Sequence, residues 1–449
     1  MQLEITKELI QNIEEAIQEN NGVYLKSELE DLHAADINSI LYELNTDQAK
    51  YVLQLLDDHI GAEILSDLEE DVRAKFLKYF DASEIARYIS LIDSDDAADI
   101  LNEQNIRMRE DVIAQIEDRK KVANILELLR YDEDTAGGLM AKEFVVAKST
   151  WTVVRCIDEL RRQREEVQSI YSIYVIDEDE KLIGRVSLKK LILAPDEALI
   201  YDIYDDTIYS VDAFASEEEV ARLIMKYDLV AVPVVNVQNK LIGRITVDDV
   251  MDVITEQNEL NQQAMAGISE NVEESDSVWT LSRARLPWLI IGMAGGLMGA
   301  EFIGVFSSVL DEVQAMAFFI PLITATGGNV GIQSSTLIVQ SLANDTGLND
   351  SILTRLLRSI MVSVINGLAI SILVFGFNYL MHDNVGLSAV VAISLFCVVM
   401  LASLSGTITP LILHRIGINP ALAAGPFITT SNDLLGIAVY FSVAYLLLL

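Results

Sequence analysis

Residues 426–436 read PFITTSNDLLG, and they lie inside a run from 419 to 449 that is otherwise apolar. As a helix, that run is long enough to cross the roughly 30 Å of hydrocarbon in a bilayer. In its middle stand two threonines, a serine, an asparagine and one carboxylate, Asp433. Packing between membrane helices uses small residues and hydroxyls but needs no charge. An ionised side chain at that depth costs about 3 kcal/mol or more, which makes Asp433 a candidate functional residue.

Working outward, four more apolar segments follow residue 285, at roughly 286–310, 315–343, 357–381 and 386–413, giving five expected spans. Three of the five are polar in places. In the second, IPLITATGGNVGIQSSTLIVQ, Asn329, Gln333 and Thr336 share one helical face beside Gly327, Gly328 and Gly331. The fourth aligns Ser403, Thr407 and Pro410, and the fifth aligns Pro426, Thr429, Asp433, Gly436 and Tyr440. Such residues either line a cavity or join helices to each other. Glu301, in GMAGGLMGAEFIG, fits a helix end or an interface equally well.

The charges divide the chain. Of its 68 acids only Glu301, Asp311, Glu312, Asp345, Asp350, Asp383 and Asp433 lie beyond residue 276, and of its 32 bases only Arg283, Arg285, Arg355, Arg358 and Arg415 do. The front part therefore carries 61 acids against 27 bases, a net charge of −34. That balance argues against nucleic acid and for cations as partners, although acidity also serves solubility. With the front part cytosolic, all five rear arginines fall on the cytosolic side of the spans. The opposite loops, DEVQ and MHDNVG, carry none. This positive-inside pattern expects the C-terminus outside. The charged opening MQLEITKELIQNIEE is helical in pattern, unlike a signal peptide. Cys156 and Cys397 match no metal or disulfide spacing.

The front part holds an internal repeat. Residues 171–192, YSIYVIDEDEKLIGRVSLKKLI, align with 230–251, VAVPVVNVQNKLIGRITVDDVM, at an offset of 59. Each copy reads strand, polar turn, strand, helix start. Over roughly 138–256 this resembles a tandem CBS pair, a module that often binds adenine nucleotides or ions between its copies. Residues 1–137 read as helices with short polar joints, and Asp95 and Asp99 share one helical face. Unless a cation offsets them, that pair is mildly destabilising. After the repeat, Asp248, Asp252, Glu256 and Glu259 draw an acidic stripe down one helix toward the first span.

An acidic helical domain, a CBS pair, an acidic linking helix and five spans occur here in that order. With IPLITATGGNVGIQSST and INPALAAGPFITTSNDLLG, and with RYDEDTAGGLM and WTLSRARLPWL, the chain closely resembles the MgtE family of magnesium channels over essentially its whole length. The resemblance implies a multidomain membrane protein. Its parts would be an all-α N domain (1–137), an α/β tandem CBS pair (138–247), a linking helix (248–276) and a five-helix pore domain (277–449). It further implies a homodimer in the plasma membrane with the N-terminus cytosolic. Two Asp433 carboxylates would hold hydrated Mg2+ on the twofold axis, in a path lined by Gly328, Asn329, Gln333, Thr429 and Gly436. Positions matching the family's acidic regulatory pattern are Glu63, Asp95, Asp99, Glu218, Asp228, Asp249 and Asp252. Cytosolic Mg2+ there would hold the pore shut, so that import limits itself.

The chain also departs from the family. Gln257, Leu260 and Asn261 stand where the linking helix is expected to carry acids, which should weaken or shift Mg2+ sensing. Leu229 replaces an aromatic and Lys190 an acidic ribose partner in the CBS pair, which leaves ATP a doubtful ligand. Ser307 replaces a glutamate near the outer end of span one. The alternatives are a cation-coupled exchanger of Mg2+ or Co2+ and a tethered sensor that conducts nothing. No nucleophile–base set, P-loop or zinc motif supports an enzyme.

Overall fold

The computed structural model describes residues 5–163, 170–269, 271–274, 276–307, 310, 313–343, 352–382, 384–423 and 425–448. The loop acids Asp311, Glu312, Asp345, Asp350 and Asp383 lie outside the described residues. The chain divides into two compact units, residues 1–254 and 255–449.

The first unit begins with ten short helices among the described residues, from Lys7–Gln18 to Arg119–Leu128. Polar caps start them. Asn45 with Gln48, and Asp81 with Glu84, form capping boxes that satisfy otherwise orphaned N–H groups. Their apolar faces close on one core that includes Ile37, Leu53, Ile64, Tyr88 and Leu101. Arg73 ties three turns together: it pairs with Glu103 at 2.5 Å and donates to the carbonyls of Ser66 and Leu68 at 2.9 and 3.2 Å.

The repeat folds as two three-stranded sheets. One contains β1 (Val145–Lys148), β2 (Ile173–Ile176) and β3 (Leu182–Val186). The other contains β4 (Val211–Asp212), β5 (Ala231–Val235) and β6 (Leu241–Thr246). In each, the first strand runs parallel to the middle one and the third antiparallel. The offset of 59 reaches the backbone: irregularities fall at Val175/Ile176 and Val234/Val235, and Glu180 and Asn239 both have positive φ. The expected boundary near residue 137 is blurred, because Ala136 and Met140 belong to the core of the second copy with Val232 and Ile245.

The copies diverge where their last helices begin. In the first, helix Leu188–Leu193 stops before Pro195, whereas in the second, helix Val247–Ala266 runs on for 20 residues. It is shorter than the 248–276 expected. Gly267 adopts φ +80°, and the Ile268 N–H reaches back to the Gln263 carbonyl at 2.9 Å, which closes the helix.

The second unit holds five helices long and apolar enough to cross a membrane: Val278–Val305, Ile320–Ala343, Ile352–His382, Val385–Arg415 and Pro426–Leu448. A 3₁₀ turn, Gln314–Phe319, precedes the second span and leads into Ile320. The first starts earlier than expected, carrying Arg283 and Arg285 within it. The fifth starts later, after the 3₁₀ turn Pro420–Ala423. Close approach comes from glycines. A side chain at Gly331 would collide with Asn432, and one at Gly295 with Thr430. The span-four hydroxyls join helices, since Ser403 bonds Ser334 and Ser359 at 3.1 and 2.9 Å and Thr407 bonds Ser359 at 2.8 Å.

Candidate cation-binding sites

In the first unit, helix Ser94–Asn102 presents its acids to the opening turns of the Val247–Ala266 helix. Asp95 feels the charges of Asp96 and Asp249, Asp96 that of Asp248, and Asp252 those of Asp248 and Asp96. Asp249 accepts from both the backbone N–H and the hydroxyl of Thr246, at 2.8 and 2.7 Å, so the start of the helix fixes its direction. Two unit charges 4 Å apart repel by about 4 kcal/mol at an effective dielectric near 20. The carboxyl groups respond accordingly. Burial first, then neighbouring carboxylates, raise Asp95 well above the ordinary range. Burial, partly offset by the Thr246 hydrogen bonds, holds Asp249 at about 6. Asp99 presents surface to solvent, yet packing around its carboxyl, with Asp96 beside it, pushes it up to about 7. Such a set of crowded oxygens suits a hard divalent cation.

A second group adjoins it. One oxygen each of Asp93, Asp95 and Glu143 lies within 4.8 Å of the others. Here the protein supplies its own cations: Arg244 pairs with Asp93 at 2.9 Å, and the Lys121 ammonium, hydrogen-bonded to the Ile92 carbonyl, faces Glu143, Asp93 and Asp95. Ser94 donates its N–H and hydroxyl to Glu143 at 3.1 and 2.8 Å. Arg244 and Lys121 therefore offset part of the charge of this group, that of Asp95 included.

Glu63 is exposed and acts on Asp67, which burial and then Glu63 raise and which also feels Asp252. Glu218 and Asp228 are exposed at opposite ends of helix Glu217–Tyr227 and its left-handed cap, about 15 Å apart along the axis. They cannot share one ion within a chain. Of the further linker acids, Asp248 joins the cluster, whereas Glu256 and Glu259 are exposed in the second unit, Glu256 accepting from Asn271 at 3.4 Å. Sequence reasoning missed Asp67, Asp93, Asp96 and Glu143. The run SLIDSDDAAD offered a signal for two of them, but nothing local marked Glu143.

In the second unit, Asp433 lies one turn beyond Thr429 and against Gly328 of the second span. A Cβ built on Gly328 would stand 3.8 Å from the Asp433 Oδ1 and 3.7 Å from Thr429 Cγ2. Asn329 and Gln333 are exposed on the surface of the single chain, next along that span. Gly436, by contrast, is buried against Ile323 and Val398. The neighbour Asn432, 1% exposed, accepts from Ser405 Oγ at 2.6 Å and donates to the Gly327 carbonyl at 3.4 Å. It locks the fifth span to the second and fourth and thereby aims Asp433. The Tyr440 hydroxyl donates to the Met316 carbonyl at 3.0 Å, a structural tie.

Comparison with known proteins covers both units. The family described as divalent cation transporter matches residues 320–443, the MgtE intracellular N domain matches 32–134, and CBS domains match 136–197 and 200–256. The magnesium transporter MgtE of Thermus thermophilus is 36% identical over 449 residues, covering 98% of this chain and 99% of that protein. The magnesium transporter MgtE of Bacillus subtilis is 35% identical over 317 residues, covering 71% and 70%. Among solved structures, the cytosolic domain of the Mg2+ channel MgtE in complex with ATP is 34% identical, with a TM-score of 0.52. That match covers 54% of this chain and 99% of the other. The soluble part of a magnesium transporter is 28% identical, with a TM-score of 0.51, covering 56% and 98%.

Proposed function

Because the chain belongs to the MgtE family of divalent-cation transporters, we propose that it is a Mg2+-selective channel that imports magnesium and is closed by cytosolic Mg2+. The observation that supports the gate is the packing of Asp95 and Asp96 against Asp248, Asp249 and Asp252. With no cation present, these groups repel each other and favour separation. Mg2+ held chiefly between Asp95 and Asp249 supplies the missing positive charge and favours the assembled state, the differential affinity a switch requires.

The pore assignment follows the same reading. Two chains in a C2 pair present one Asp433 each, and Mg2+, which gives up its waters reluctantly, binds through the two carboxylates while staying hydrated. Gly328 and Thr429 lie beside Asp433, and in this reading Asn329 and Gln333, exposed further along the second span, line the path with them. Arg283 and Arg285 in the first span, Arg355 and Arg358 in the third and Arg415 at the end of the fourth mark the cytosolic side.

The test is Mg2+ flux through full-length protein in liposomes at micromolar and millimolar lumenal Mg2+. Flux should fall as Mg2+ on the side of the acidic unit rises, and Asp433→Ala should abolish it. Flux that ignores that Mg2+ would remove the gate, and full flux through Asp433→Ala would remove the pore site.

A further inference from the structure

Helix Ser94–Asn102 starts on a residue that does not cap it. Asp93 occupies the N-cap, where an aspartate ordinarily accepts from the first N–H groups of its own helix, but its carboxylate makes no such bond. It turns to the second sheet copy and pairs with Arg244 of β6 at 2.9 Å. The cap comes from across the joint. Glu143 accepts from the N–H and hydroxyl of Ser94, and the Lys142 N–H donates to the Ser94 hydroxyl at 3.0 Å. Residues 141–143 are themselves fixed to β6: the Ala141 and Arg244 backbones exchange hydrogen bonds at 2.8 and 2.9 Å, and Arg244 Nε donates to the Glu143 carbonyl at 2.6 Å. Arg244 is 7% exposed, with the Tyr171 ring 5.2 Å away.

Lys121, on helix Arg119–Leu128, closes the group from the helical domain. Its ammonium is bonded to the Ile92 carbonyl and faces Glu143, Asp93 and Asp95. Three carboxylates with oxygens within 4.8 Å of one another thus meet two cations carried by the chain itself. The apolar packing crosses the same joint. Ala98 and Leu128 share a core with Met140, Val220, Val232 and Ile245 of the second copy, while Ala97, Leu101 and Ile125 on the same two helices belong to the core of the helical domain. Left uncompensated, Asp93, Asp95 and Glu143 would push the joint open against that burial. Arg244 and Lys121 cancel the push without taking up an ion.

We propose that Arg244 and Lys121 are tethered cations that keep the helical domain docked on the second sheet copy without Mg2+. Attraction and repulsion then sit side by side on the same two elements. Two residues on from Asp93 stands Asp95, and five on from Arg244 stands Asp249; the first of each attract, and the second repel. One consequence rests on the gate proposed above: the effect of Mg2+ is confined to the contact with the linking helix. Losing the ion lets that helix turn away about a joint that stays closed, and does not release the helical domain.

Hydrogen exchange on the full-length protein in detergent, in EDTA and in millimolar Mg2+, reads the joint directly, because the Ser94 and Lys142 N–H groups bond across it. In the wild type each of these amides should exchange at rates within about twofold in the two conditions. Lys121→Met and Arg244→Met, which keep bulk but not charge, should speed both amides roughly tenfold or more in EDTA, and Mg2+ should restore them by taking the place of the lost cation. If Arg244→Met exchanges fast in Mg2+ as well, the joint has lost its fold in that variant and Lys121→Met alone decides. Wild-type amides that open in EDTA, a Lys121→Met joint as tight in EDTA as the wild type, or one that Mg2+ cannot close would each overturn the proposal. Flux that ignores Mg2+ would remove the gate, whereas amides that open in EDTA remove the fastening whatever the flux does.

Discussion

Gly267 packs directly on the ring of Pro426: a Cβ on this glycine would stand 2.6 Å from Pro426 Cγ, and its φ of +80° is one that L side chains avoid. Next to it, Gly425 lies against the Met265 carbonyl, and Asn261 accepts from Asn419 at 3.1 Å. The end of the linking helix is therefore clamped to the start of the fifth span, two turns before Asp433. Gly267→Ala adds backbone strain of roughly 1–2 kcal/mol and a collision at that joint. In liposome flux, the variant should need more Mg2+ for half-closure, or leak at millimolar Mg2+. Closure identical to wild type would show that the clamp transmits nothing.

Neutralising one member of the crowded pair should mimic part of the cation's effect. Asp95→Asn and Asp249→Asn keep an acceptor for the Asp96 and Thr246 N–H groups while removing charge. Each should stabilise the front unit in EDTA by about 1 kcal/mol, or roughly 2–4 °C in melting temperature, and should shrink the further shift caused by Mg2+. Melting curves with Mg2+ and with EDTA read both numbers. A variant that melts lower in EDTA yet keeps the full Mg2+ shift would contradict the repulsion argument.

The same carboxyls set a pH dependence. Asp93 and Asp249 titrate at about 6 and Asp99 at about 7 in the folded state, above the unfolded value of about 3.9. Raised carboxyls are stabilising when protonated, so the front unit in EDTA should lose stability as pH rises from about 4 through 7. Mg2+ should flatten that slope above pH 6 and release protons on binding. Protection from proteolysis that grows with pH in EDTA would reverse the sign and sink the prediction.

Much of this was legible from local pattern. Five spans, the 59-residue repeat and the helical front domain follow from periodicity, and Asp433 stood out because hydrocarbon makes a charge conspicuous. What stayed hidden was set by partners far along the chain. Asp93 meets Arg244 across 151 positions and Glu143 meets Ser94 across 49, and no spacing rule encodes either. The linking helix ends ten residues short of the expected 276 because its stop depends on the left-handed turn at Gly267. Ser403 and Thr407 were ambiguous for another reason: the same hydroxyl lines a path or joins helices, and only the neighbours Ser334 and Ser359 decide.

Asn432, rather than another charge, holds Asp433 in place. Its amide accepts from Ser405 and donates to the Gly327 carbonyl, with Gly331 leaving room for it. Asn432→Ala would remove the bonds to the Ser405 hydroxyl, which keeps the Ala402 carbonyl, and to the Gly327 carbonyl, at about 0.5–1.5 kcal/mol for each bond lost, and would free the fifth span to turn. Mg2+ flux should drop at least tenfold although Asp433 is intact. Asn432→Gln, which keeps the amide but not its reach, should recover little. Ser405→Ala, which removes only one of the two bonds, should fall between. If Asn432→Ala folds and conducts as the wild type does, the aim of Asp433 is fixed by something other than this amide.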